Sequence, residues 1–152
     1  MIPNHLQVAL KLIAQKLNRA NIQWAIIGSA NLALQGMSIK PRDIDVLINN
    51  LDKEKTIDLF GELKNQPIKK HPGGGYEEVE CTIKEAAVQF CFEYQNGIYF
   101  GGLDNNNLTY KNLDGEKIPC FKLKNEAEAY NYLGREKTAQ IIKKYLESKC
   151  LK

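Results

Sequence analysis

Twenty consecutive residues, Ala20 to Ile39, carry no formal charge. A run of that length either crosses a bilayer or is buried in a globular core. It contains Asn21, Gln23, Ser29, Asn31, Gln35 and Ser38, together with Gly28 and Gly36. A spanning helix would be far more apolar, so the run reads as soluble core and no membrane partner is expected. The N-terminal MIPNHLQ has no basic region followed by an apolar run, so no signal peptide is expected. A chain of 152 residues predicts a single domain over 1–152. Its apolar content is enough for one core without staples.

Charge and cysteines narrow the classes further. The net charge of +3 is mildly basic, but Lys and Arg mostly alternate with acids, so charge alone does not imply nucleic acid. Cys81, Cys91, Cys120 and Cys150 form no CxxC pair. Neither a structural zinc site nor a disulfide framework is expected. Reduced thiols and a cytoplasmic protein follow.

The pattern along the chain alternates helix and strand. Leu6, Ala9, Leu10, Ile13 and Leu17 recur at helical spacing, which predicts a helix over 5–19 capped by Asn4. Gln23–Ile27 reads as a strand ended by Gly28-Ser29. Ser29–Gln35 reads as a short helix, capped by Ser29 and closed by Gly36 in the left-handed conformation. Asp43–Ile48 is a clear strand, with Ile44, Val46 and Ile48 on one face and Asp43, Asp45 and Leu47 on the other. Asn49–Asp52 reads as a turn. Lys53–Lys64 predicts an amphipathic helix with Ile57, Phe60 and Leu63 inward.

A connector, Pro67 to Gly75, follows. Tyr76–Ile83 and Ala87–Tyr94 read as two strands about a tight turn at Lys84-Glu85. Residues 95–122 look irregular, with short strands or loops near Ile98–Phe100 and Lys117–Phe121. Two helices, Lys124–Leu133 and Arg135–Lys149, flank Gly134 at the end. The fold class is α/β (α+β in some schemes). It is a short mixed sheet with helices packed mainly against one face and the functional acids on the other.

The chemistry concentrates in WAIIGSANLALQGMSIKPRDIDVLI. A strand delivers Gly28 and Ser29 to the start of a helix. Such a turn exposes backbone N–H groups and a positive helix end, which suits a phosphate. Asp43 and Asp45 follow on one face of a strand, about 7 Å apart by strand rise. Two acids that close repel unless a cation lies between them, and hard divalent metals prefer oxygen ligands. The pair suits magnesium, and the turn suits a nucleotide. Together they imply metal-assisted phosphoryl or nucleotidyl transfer. Alone, Gly-Ser is usually a simple helix cap and Asp-x-Asp usually a solvated strand face; the ordered combination is the specific signal.

These residues resemble the nucleotidyltransferase superfamily, with its DNA polymerase beta-like fold. The matching positions are Gly28-Ser29, Leu34-Gln35-Gly36 and Arg42-Asp43-Ile44-Asp45-Val46. A second match is Ile118-Pro119 before a helix bearing Glu126 and Tyr130, then Leu133-Gly134-Arg135. The resemblance covers roughly residues 5–60 and 117–146, and it looks most like the small one-domain members of bacteria and archaea.

The resemblance implies a nucleoside triphosphate held by Gly28 and Ser29, with Arg42 orienting the acids or touching phosphate. It implies two magnesium ions at Asp43, Asp45 and a third carboxylate on the strand Ala87–Tyr94. An acceptor hydroxyl would attack the α-phosphate, and pyrophosphate would leave. The third acid is where the chain departs from the pattern. The position aligned by eye is Gln89, which carries no charge. Glu93 lies two positions further along the same face, about 13 Å by strand rise, and joins the site if the strand is shifted or bulged. Glu80 is the weaker alternative.

Two further readings stand beside the enzyme. Gln89 motivates a degenerate nucleotide-binding member that acts through a protein partner, as in toxin–antitoxin pairs. The mild positive charge motivates a small RNA-binding module. His5 and His71 read as a residue near the first helix and a loop residue. Trp24 reads as core. Tyr76 and Tyr99 are candidates to stack a base, and the basic residues between Arg135 and Lys149 read as a solvated helix face. The acceptor is not specified, and loops, a second copy or a partner would have to recognise it.

Overall fold

The uncharged run is buried as a strand, a turn and a helix. Ile22, Trp24, Ala25, Ile26, Ile27, Ala30, Leu32, Ala33 and Met37 are all inside. The computed structural model describes residues 2–71, 75–94 and 103–150. The predicted strand or loop near Ile98–Phe100, Tyr99, and Pro72, Gly73 and Gly74 of the connector lie outside the described residues.

Among the described residues, seven strands form one mixed sheet. They are β1 (Trp24–Ile27), β2 (Asp43–Asn49), β3 (Lys69–Lys70), β4 (Tyr76–Ile83), β5 (Ala86–Glu93), β6 (Leu108–Leu113) and β7 (Glu116–Phe121), in the spatial order β3-β4-β5-β2-β1-β7-β6. β2 runs parallel to β5 and β1 parallel to β7; the other neighbours are antiparallel. The helices are α1 (Asn4–Arg19), α2 (Gly28–Leu34), α3 (Lys53–Leu59), α4 (Leu123–Tyr132) and α5 (Glu136–Cys150).

Strand alternation sorts the two faces. Trp24, Ile26, Ile44, Val46, Ile48, Val88, Phe90 and Phe92 meet Leu6, Leu10, Ile13 and Leu17 of α1 in the main core. Phe60 and Leu63 close that core from the segment after α3. The other face carries Ala25, Ile27, Leu47 and Cys91, which pack with Phe121 and with Ala129 of α4. There Asp45 emerges beside Glu126 and Tyr130 of α4. Helices α4 and α5 then wrap α2 through Leu32, Met37, Tyr130 and Ile142.

Several local expectations are corrected. Pro3, not Asn4, occupies the position before α1, and no side chain caps that helix. Proline's fixed φ suits a helix start. Ser29 does not cap α2, because the helix already begins at Gly28 and the position before it is Ile27. Gly36 does close α2 in the left-handed region, at φ +101°. The helix expected over 53–64 stops at Leu59. Phe60 turns extended, at φ −113° and ψ 106°, and a single 3₁₀ turn, Gly61–Leu63, follows. Gly61 is a poor helix residue, and the extended Phe60 places its ring against Phe90, 5.2 Å between centroids.

In the connector, Lys69 and Lys70 pair with Glu78 and Glu77 as a short edge strand. Part of the region expected to be irregular is the β6–β7 hairpin, turned by Asp114 and Gly115, both at positive φ. The β4–β5 hairpin turns at Lys84-Glu85 as expected, again with both residues at positive φ.

Candidate active site

β1 and β2 pair so that Ile27 stands opposite Asp45. The chain therefore turns into α2 beside the carboxylate. Gly28 has φ +74°, and a β-carbon there would lie 2.5 Å from Asp45 Oδ2. Only glycine fits such an approach. The two halves of the sequence signal thus meet in space.

A cavity of about 420 Å³ opens at this meeting point, with Gly28 and Asp45 in its wall. His71 and Tyr76 line another part, their rings stacked 4.5 Å apart. Tyr130 of α4 and Arg135, between α4 and α5, also line it, the guanidinium 5.2 Å above the Tyr130 ring. Glu78, Gln89 and Glu126 complete the polar lining.

Parallel pairing with β5 places the third-acid candidates. Gln89 stands opposite Asp45, and Glu93 stands opposite Asn49. Glu93 is four positions from Gln89 along the strand, about 13 Å by rise, and it is buried. β5 runs in unbroken register through this stretch, so no bulge brings Glu93 to the pair. Gln89 instead donates its side-chain amide to the Glu78 carboxylate. Glu80 faces Gln89 across the β4–β5 ladder.

Charge in the cavity is unevenly balanced. Burial first, then Asp43 and Glu78, push the Asp45 carboxyl up to about 7, while Arg135 works in the opposite direction. Asp43 lies on the same strand face but opens into a neighbouring cavity of about 590 Å³ with Glu62, Glu80 and Gln89. Among the described residues, no three His, Cys, Asp or Glu side chains converge closely enough to hold an ion by themselves.

Glu126 is nearly inaccessible, at 1% exposure. Its Oε2 accepts the Gly28 N–H at 2.8 Å and the Asn31 side-chain amide at 3.1 Å. Burial pushes its carboxyl up to about 8 despite these two bonds. The Gly28 N–H expected to face a phosphate therefore faces Glu126.

Ser29 is half-buried on the first turn of α2, and Arg42 is exposed where the chain enters β2. The cation whose charge reaches Asp45 is Arg135, which the sequence pattern had placed on a solvated helix face. Its signal was the left-handed Gly134, at φ +79°, which turns the chain between α4 and α5. Glu78 gave no separate signal, because it is one of several acids in a charged strand.

No family model matches the sequence, and no curated protein matches it. Solved structures do match its fold. A candidate nucleotidyltransferase from Thermotoga maritima superposes with a TM-score of 0.74 at 22% identity, covering 97% of this chain and 96% of the other. The fold is that of the nucleotidyltransferases. The antibiotic-resistance factor ANT(2'')-Ia superposes at 0.59 and 12% identity, over 93% of this chain and 83% of that one. An antigenic nucleotidyltransferase-like protein from Paracoccidioides brasiliensis superposes at 0.55 and 16% identity, over 90% and 75% of the two chains. The nucleotidyltransferase-fold expectation and its mixed sheet are thereby met.

Proposed function

We propose that the chain moves a nucleoside monophosphate from a nucleoside triphosphate to a hydroxyl acceptor, with magnesium bound at Asp43 and Asp45. The observation that carries this reading is the close approach of Gly28 to Asp45 at the mouth of a cavity. It joins a glycine-dependent turn to a buried acid crowded by other acids. Glycines that allow close backbone approach mark ligand sites, and displaced carboxylate pKa values concentrate at functional sites.

The donor set fits magnesium in one particular way. Magnesium is commonly held by one or two carboxylates together with substrate phosphates and water, not by a full protein cage. Asp43 and Asp45 supply two carboxylates, and a third does not converge with them. One ion completed by the triphosphate therefore fits better than two preformed sites. When bound, that ion would neutralise phosphate charge and orient the α-phosphate.

The remaining roles belong to side chains. Arg135 supplies positive charge toward the phosphates. Ser29 offers a hydroxyl beside the turn. Tyr76, His71 and Tyr130 give flat walls against which a base stacks. Glu78, held by Gln89, is the acid in the cavity placed to accept the acceptor's proton, in preference to Glu93. Arg42 meets the phosphates from the rim.

A similar structure, ANT(2'')-Ia, is known with adenylyl-2''-tobramycin, so tobramycin is a sensible first acceptor to test. The four cysteines are free, and among the described residues no helix is long and apolar enough to cross a membrane; a cytoplasmic setting is consistent with both.

Calorimetric titration with magnesium and each nucleoside triphosphate tests the reading. At least one triphosphate should bind in a magnesium-dependent manner, and Asp43→Asn with Asp45→Asn should abolish it. Absence of binding for all four would end this assignment. Gln89 beside Asp45 favours one second reading: a nucleotide-binding member without transfer activity, acting through a protein partner. It predicts the same binding but no pyrophosphate release with any acceptor.

A further inference from the structure

Glu126 lies 98 residues beyond Gly28, yet its carboxylate is the partner of the turn that meets Asp45. The centre of the surrounding network, Asn31 and Glu126, is buried. Asn31, at 0% exposure, donates to Glu126 and also to the Phe121 carbonyl at 2.8 Å. Gln35 donates to the Asn31 side-chain oxygen at 2.8 Å and to the same Phe121 carbonyl. Helix α2, the end of β7 and helix α4 are thus joined through one set of hydrogen bonds.

Gly28 needs an external partner for mechanical reasons. It is the first residue of α2, so its N–H has no acceptor within the helix. Its backbone is in the left-handed region, where glycine has the most freedom to leave. A buried N–H without a partner is costly, and Glu126 supplies the partner from helix α4.

We propose that Glu126 is a positioning residue: by holding the Gly28 N–H and the Asn31 amide it fixes the turn against Asp45, and so preorganises the site for a metal–triphosphate complex. It touches neither metal nor acceptor and acts through Gly28. This rests on the nucleotidyl-transfer reading for its consequence, though not for the clamp itself. Groups held in place by packing and hydrogen bonds beneath a site set its precision, and loss of such support typically costs ten- to hundredfold in affinity or activity.

The test compares the wild-type protein with Glu126→Leu and Glu126→Gln. Two quantities are read: amide hydrogen exchange at Gly28, and affinity for magnesium with a non-hydrolysable ATP analogue. Glu126→Leu should speed Gly28 exchange at least about tenfold and weaken the analogue about tenfold or more, while β4 and β5 amides stay protected. Glu126→Gln keeps an oxygen acceptor and should recover most of the affinity, which distinguishes positioning from simple loss of packing. If the leucine variant does not fold, Glu126→Asp, shorter by one methylene, takes its place with the same expectation.

A folded variant that binds the analogue as wild type does would overturn the proposal, as would unchanged Gly28 exchange. If the wild type binds no triphosphate, the transfer reading fails by itself. Gly28 exchange then decides the clamp alone: faster exchange in the variant upholds it, and equal exchange removes it.

Discussion

Gly28 and Asp45 are placed so that any side chain on the first would collide with the carboxylate of the second. The would-be β-carbon sits 2.5 Å from Oδ2, well inside contact distance, and the φ of +74° is itself unfavourable for other residues. Gly28→Ala should therefore lower stability by about 2 kcal/mol or more and abolish binding of magnesium–triphosphate. Gly36→Ala, at φ +101° beside the Tyr145 hydroxyl, should show the stability loss and keep the binding. Urea denaturation and calorimetry separate the two; equal binding by both variants would refute the role given to Gly28.

Asp45 and Glu126 should make the protein less stable as pH rises. Both have folded-state values above their ordinary ones, about 7 against 3.8 and about 8 against 4.5. Each binds its proton more tightly in the folded state, so its favourable contribution is complete below the ordinary value. That contribution is lost as pH climbs through the folded one. The urea midpoint should fall between about pH 4 and pH 8, by an amount worth on the order of 1–3 kcal/mol per group. Asp45→Asn and Glu126→Gln should each flatten the slope. A midpoint that rises over this range in the wild type, with no change in the variants, would contradict the assignment.

Glu78 and Glu93 make opposite predictions. Glu78→Gln should reduce turnover with any productive acceptor by tenfold or more, the scale of a lost general base, with triphosphate affinity little changed. Glu93→Gln should leave turnover intact. Gln89→Asp adds an acid directly beside Asp45, so it should tighten manganese binding and lower metal-free stability. The three variants can be ranked by pyrophosphate release and manganese titration. A ranking with Glu93 dominant would restore the strand-register alternative.

Thiol chemistry gives an independent check of the fold. Burial pushes Cys81 up to about 11, Cys120 to about 12 and Cys91 well above its ordinary value. Cys150 is exposed at the end of α5. In the native protein a thiol-reactive disulfide reagent should modify Cys150 quickly and the other three slowly. Four equally fast thiols would show that the core around β4, β5 and β7 is open.

The segment from Trp24 to Ile48 was legible because its signals agree. Strand alternation, the glycines at 28 and 36 and the two aspartates all specify local geometry that packing then keeps. The break at Phe60 was hidden, because helical spacing of Ile57, Phe60 and Leu63 also suits a helix followed by a 3₁₀ turn. β6 was missed for another reason. As an edge strand it buries Leu108 and leaves most of its length exposed, so it shows no period of two. The Asp114-Gly115 pair was the available signal, since such a pair favours a two-residue hairpin. In the site, Asp43, Asp45 and Gly28 could be named from their spacing. Arg135 and Glu126 stood out only as positions of a C-terminal motif; their roles, and Glu78 itself, could not be named, because each depends on a partner distant in sequence.

That distance has a consequence for how the protein is made. β1 lies between β2 and β7, and its Ile26 pairs with Cys120. The Gly28 turn has its anchor at Glu126. During synthesis the turn and both aspartates leave the ribosome before the strand beside them and the helix behind them. Pairings this far apart in sequence are slow to form, because chain closure must precede the contact that rewards it. The nascent chain thus carries its acids without a pocket around them until β7 and α4 dock.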